Sequence, residues 1–79
     1  MKLITKYKRI RKMHKLINKN KNIICAFCEL LPDNNTENKI VIMAIPKVKN
    51  DYFRKEYEVE PTIKNLIKIY KEVIEKCKE

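Results

Sequence analysis

The chain has 79 residues, of which 44% are hydrophobic and 37% charged, and its net charge at neutral pH is +9. This length leaves room for one small domain, which argues against an elaborate active site, and the apolar content excludes a wholly disordered chain. Residues 1–21 hold nine basic residues and no acid, whereas residues 22–79 hold ten of each, so the whole net charge lies in the first quarter of the chain.

The basic segment, residues 1–21, is predicted to be an N-terminal helix or arm, and a helix is favoured for residues 5–18. Its apolar side chains recur at helical spacing, so a helix places them on one arc and the cations opposite. The predicted inward arc consists of Leu3, Tyr7, Ile10, Met13, His14 and Ile17. The predicted outward side carries Lys8, Arg11, Lys12, Lys15 and Lys19, with Arg9 near the border.

Residues 22–60 are predicted to form antiparallel strands. The runs NIICAFCEL (22–30) and KIVIMAI (39–45) are rich in β-branched residues. Asn34, Asn35 and Asn38 between them suit a hairpin-like reversal in a chain without Gly. The second run is apolar on both faces, which is typical of a central strand. A third strand is predicted at EYEVE (56–60), with Tyr57 and Val59 facing inward, and the preceding segment, 47–55, is expected to be a mobile loop.

Residues 61–79 are predicted to form a C-terminal amphipathic helix. Apolar residues recur at helical spacing over 63–77, and Pro61 suits the first helical turn. The fold class is therefore α+β: a single domain over 1–79 with the order α-β-β-β-α, in which two helices pack on one face of a small antiparallel sheet.

Cations spread over one side of an anchored helix are typical of a surface that binds a polyanion. The sequence therefore predicts a small, non-enzymatic protein that binds DNA or RNA. With 16 Lys against three Arg, contact with the phosphate backbone is favoured over base-specific readout. The predicted phosphate contacts are Lys8, Arg11, Lys12, Lys15 and Lys19, with Arg9 at a groove or base edge. Tyr52, Phe53, Arg54 and Lys55 form a predicted accessory loop, whose aromatic residues could stack on bases. Core packing is favoured for Tyr7.

Other interpretations of the basic segment stay open. The protein could be a small phage or mobile-element regulator that binds an acidic host protein. A/T-rich codons could enrich a merely solvated helix face in lysine, and a membrane-surface helix is the least favoured. Glu56, Glu58 and Glu60 could protect an edge strand, hold Mg²⁺, or meet the basic helix of a second subunit in a homodimer.

Cys25 and Cys28 have the spacing of half a zinc site, which His14 and Cys77 would complete. However, CAFC lies in a predicted strand, where these two thiols would point to opposite faces, and buried thiols without a metal are favoured. His14 is expected to be partly buried and hydrogen-bonded to a strand carbonyl. Neither a cofactor nor a catalytic residue is predicted.

The odd number of cysteines and the lack of a long apolar run predict a cytoplasmic protein that does not enter a membrane.

Overall fold

The computed structural model describes residues 3–32, 38–48 and 52–78. These residues form helix α1 (Leu3–Asn18), strands β1 (Ile23–Pro32), β2 (Asn38–Pro46) and β3 (Phe53–Tyr57), and helix α2 (Ile63–Cys77). The predicted α-β-β-β-α order is confirmed, and the chain forms a small, compact α+β fold. The predicted turn at Asn34 and Asn35 lies outside the described residues.

The three strands form one antiparallel sheet in the order β1-β2-β3, so the prediction that the second strand is central is confirmed. Ala26 of β1 lies opposite Ala44 of β2, and Ile42 of β2 lies opposite Lys55 of β3. The third strand begins three residues earlier than predicted, at Phe53. It also ends at Tyr57, which leaves Val59 exposed beyond the sheet.

The assignment of residues 47–55 to a loop was therefore wrong for 53–55, because β3 pairs these residues with β2. Phe53 and Tyr57 pack against the core, which explains the earlier start of the strand. Residues 49–51 of the expected mobile loop lie outside the described residues.

The core lies between the helices and one face of the sheet. Alternate side chains of β1 and β2 point into it, and Ile40 and Ile42 are fully buried, as are Ile17 of α1 and Val73 of α2. Helix α1 contacts β1, α2 contacts β2, and the helices contact each other. Burial of this aliphatic cluster is the main stabilising contribution, at roughly 25 cal/mol per Å² of apolar surface.

Helix α2 begins at Ile63, two residues after Pro61. Thr62 is its N-cap, and the Thr62 hydroxyl accepts a hydrogen bond from the Asn65 backbone N–H at 3.2 Å. Pro61 is buried and precedes the cap, so it lies outside the first helical turn. Because a side chain satisfies an otherwise unpaired N–H, this cap gives the helix a defined start.

Helix α1 is rotated relative to the predicted orientation. Its buried residues are Lys6, Ile10, Met13 and Ile17. Leu3 and Tyr7, which were expected on the inward arc, are 57% and 51% exposed. The spacing of the apolar residues allows either orientation, and contacts with the rest of the chain select the one observed.

One of these contacts covers the outer edge of β1. The Asn18 side chain accepts a hydrogen bond from the Ala26 N–H at 2.9 Å and donates one to the Ala26 carbonyl at 2.8 Å. His14 Nδ1 accepts a hydrogen bond from the Cys28 N–H at 3.2 Å. The histidine partner is therefore a strand amide and not the expected carbonyl. Side chains of α1 thus take the place of a fourth strand, which protects this edge from unwanted pairing.

Substitution of Asn18 tests this edge contact. We expect Asn18→Ala to lower the free energy of unfolding by about 1–2 kcal/mol, because two backbone groups of β1 lose their partner. Asn18→Asp is also expected to be destabilising, because a carboxylate accepts from the Ala26 N–H but repels the Ala26 carbonyl. Urea denaturation followed by circular dichroism measures both effects, with Lys19→Ala as the control. Wild-type stability of both Asn18 variants would show that the contact contributes nothing.

Candidate nucleic-acid interface

The outward side of α1 carries an uncompensated group of cations, which we call the basic face. It consists of Lys8, Arg11, Lys12, Lys15 and Lys19, and all five are exposed. None of them forms an ion pair with any residue of 3–32, 38–48 or 52–78. The structure therefore brings together the predicted phosphate contacts of this helix on one open surface.

Two other cations of α1 have structural contacts. Lys6 Nζ lies 3.1 Å from Glu60 Oε2, and the Lys6 side chain is only 5% exposed. Arg9 Nη1 donates a hydrogen bond to the Pro61 carbonyl at 3.3 Å. Both cations attach α1 to the segment before α2. Arg9, predicted to contact a groove or base edge, thus uses part of its guanidinium within the chain.

Sequence reasoning missed the role of Lys6. The one available signal was its position four residues before Ile10 and seven before Met13, which places it in line with the buried stripe of the helix. A lysine in that line indicates either that its alkyl chain lets the ammonium reach solvent or that an acidic side chain pairs with the ammonium. The structure shows the second arrangement, with Glu60 as the acid.

The residues predicted as an accessory loop do not join the basic face. They lie in or next to β3, two strands away from β1 and hence roughly 10 Å from it. Tyr52 is 60% exposed, and its hydroxyl donates to Met43 Sδ, whereas Phe53 packs against the core. Arg54 and Lys55 are in ion pairs at 2.7 and 2.9 Å. Their contact with nucleic acid stays a prediction.

The acids that meet these cations are ionised at neutral pH. The pKa of Glu56 is lowered by hydrogen bonds, first from Lys39 and then from Arg54. The pKa of Glu72 is lowered by hydrogen bonds from the Tyr57 hydroxyl and then from Lys55. Burial, together with the hydrogen bond to Glu72, raises the pKa of Tyr57.

These contacts also change the interpretation of the acidic residues 56–60. Glu56 meets cations of the sheet and Glu60 meets Lys6, so both acids have partners within the same chain. Their negative charges are therefore partly neutralised within the chain, which weakens the hypothesis that they contact the basic helix of a second subunit. No group of three or more His, Cys, Asp or Glu side chains suitable for a metal ion occurs in the part of the chain that the structure describes.

The cysteines lie in contrasting environments. Cys25 is exposed, whereas Cys28 and Cys77 are buried, so burial was wrongly expected for Cys25. Burial raises the pKa of the Cys28 thiol to about 12, which makes it a poor nucleophile and a poor metal ligand at neutral pH. Together with His14, the three thiols do not assemble into a metal-binding group within the described ranges.

No family model, curated protein or solved structure matches the chain.

The described helices include none that is long and apolar enough to cross a membrane.

Proposed function

We propose that this protein is a small, non-enzymatic module that binds the backbone of DNA or RNA through the basic face of α1. The observation that carries the proposal is the set of five exposed cations, which have no acidic partner among the described residues. A phosphate backbone supplies the missing negative charge, and the release of its condensed counterions drives binding.

The anchoring of α1 supports this proposal. Ile10, Met13 and Ile17 are buried in the core, and Asn18 bonds to the edge of β1, so the helix is held along its length. The cations of the basic face therefore project from a fixed backbone at helical spacing. Less conformational freedom is lost on binding than would be lost by a disordered basic arm.

Low sequence specificity follows from the composition of the basic face. Four of its members are lysines, which bind phosphates as point charges, and Arg11 alone has the planar fork that suits guanine. The interface is thus better suited to holding a polyanion than to reading its sequence. Because nucleic acid is intracellular, the proposal also assigns the protein to the cytoplasm, where its thiols stay reduced.

A salt titration tests the proposed function. If the five cations of the basic face each neutralise one phosphate, the logarithm of the association constant should fall with the logarithm of salt concentration at a slope near −4. Fluorescence anisotropy with fluorescein-labelled DNA and RNA oligonucleotides measures this slope.

An absence of binding at low salt, or binding insensitive to salt, would contradict the proposal. A pull-down from nuclease-treated lysate that recovers one stoichiometric acidic protein would favour the alternative protein partner.

A further inference from the structure

A groove runs along one flank of the basic face, between α1 and the outer edge of β1. It is open to solvent and has a volume of about 640 Å³. Ile10 and Leu30 contribute apolar surface, and Tyr7, Arg11 and Lys15 lie along its helix side. The groove therefore combines an aromatic ring, two cations and an apolar floor next to the proposed phosphate contacts.

Tyr7 contributes an exposed aromatic ring to the groove. Half of its surface is exposed, although core packing was expected from the sequence. Arg11 lies one helical turn further along the same side of α1, at about 6 Å of helix rise. An aromatic ring beside a cation at this spacing can stack on a base while the cation binds the adjoining phosphate.

The strand side of the groove offers polar backbone groups. Ala26 and Cys28 direct backbone groups toward the outer edge of β1. The side chains of Asn18 and His14 form hydrogen bonds with these groups. By the alternation of an antiparallel strand, Leu30 also turns its N–H and C=O toward this edge. Leu30 lines the groove, so its backbone lies where the edge of an unpaired base could form hydrogen bonds.

The charge of the groove suits a polyanion on its helix side. Arg11 and Lys15 belong to the basic face, whereas Glu29 lies on the strand side and is the acid among the lining residues. This polarity orients a ligand, because phosphates are attracted to α1 and repelled from β1. A nucleic-acid strand placed in this way keeps its phosphates near the cations of α1 and directs its bases into the groove.

We infer that the groove between α1 and β1 binds single-stranded nucleic acid, with one base stacked on Tyr7 and the adjoining phosphates on Arg11 and Lys15. The inference rests on the proposed function and names its substrate class. A duplex keeps its bases stacked inside, so it can use the cations but not the Tyr7 ring. Single strands should therefore bind more tightly than duplexes of the same sequence.

Substitution of Tyr7 tests this inference in the full chain. The probes are a fluorescein-labelled 12-nucleotide RNA, the matching DNA, and duplexes of the same sequences, all at one fixed salt concentration. We expect Tyr7→Leu to weaken single-strand binding about tenfold through loss of stacking, and to leave duplex binding within about twofold of wild type. Tyr7→Phe, which keeps the ring, should bind single strands within about twofold of wild type.

Ile67→Ala is the control, because Ile67 of α2 is about as exposed as Tyr7 and does not line the groove. It should bind single strands within about twofold of wild type. Single-strand binding by Tyr7→Leu at wild-type strength, or equal wild-type affinity for strand and duplex, would overturn the inference. If wild type still binds both probes with the salt slope near −4, the proposed function stands without it. If it binds neither, the proposed function fails as well.

Discussion

Replacement of Lys8, Lys12 and Lys15 by alanine is expected to lower nucleic-acid affinity at low salt by about a hundredfold or more. Each lysine is exposed and forms no ion pair within the described residues, so each is available to neutralise one phosphate. Loss of three phosphate contacts should reduce the salt slope from near −4 to about −1.5. Salt titrations of the variant and wild type, followed by fluorescence anisotropy, measure both changes.

The fold should tolerate these three substitutions. The lysine side chains lie outside the core, and alanine has the highest intrinsic helix propensity. Circular dichroism and urea denaturation should therefore give a wild-type spectrum and at least wild-type stability. A loss of affinity can then be attributed to the missing charges.

A second triple variant separates position from net charge. Lys64, Lys68 and Lys76 of α2 are also exposed, and their replacement by alanine removes the same charge from the other helix. We expect this control to lose only a few-fold in affinity, because long-range attraction is weaker than direct contact and is screened by salt. Equal losses in the two triple variants would show that net charge alone drives binding, and that the basic face is no defined interface.

Glu60→Gln is expected to lower the free energy of unfolding by about 2 kcal/mol. The Lys6 side chain is almost fully buried, and the substitution removes the carboxylate that the structure places 3.1 Å from its ammonium. Loss of one partner of a buried ion pair typically costs about 3–5 kcal/mol, and an exposed pair contributes below about 1 kcal/mol. An intermediate value is expected because the Glu60 side chain is 45% exposed.

The double variant Lys6→Met/Glu60→Gln tests whether the buried charge of Lys6 is the cause of the lower stability of Glu60→Gln. Methionine fills the space of the lysine stem without a charge to desolvate, so the double variant should be more stable than Glu60→Gln and within about 1 kcal/mol of wild type. Urea denaturation gives the four free energies of the cycle, and Glu58→Gln, at an exposed acid of the same segment, is the control. Strict additivity of the two single substitutions would contradict a direct interaction between these side chains.

Much of the architecture could be predicted from local patterns. Helical spacing of the apolar residues located α2 at 63–77, and the two β-branched runs located β1 and β2. The third strand was less predictable. Phe53 and Tyr57 both pack against the core, but the three residues between them are charged, so the segment lacks the alternation of apolar and polar residues that is typical of a half-buried strand. Those charges are accommodated by ion pairs with distant residues such as Glu72, which no local pattern contains.

The candidate site was predictable in its charges and unpredictable in its geometry. The acid-free segment identified the basic face, and all of its predicted members are exposed. Tyr7 was wrongly assigned to the core, whereas the contact of Tyr52 with nucleic acid stays a prediction. Helical periodicity is compatible with small rotations about the helix axis, and a rotation of a fraction of a turn is enough to move Tyr7 out of the core.

By itself, the sequence determined the element order, the central strand and the segregation of charge, because these depend on spacing and composition along short segments. The tertiary structure decided which way α1 faces. Contacts of Lys6 with Glu60, Arg9 with Pro61 and Asn18 with Ala26 orient that helix, and two of them join residues more than 50 positions apart. Such long-range contacts turn an excess of lysine into an open basic face with a groove beside it.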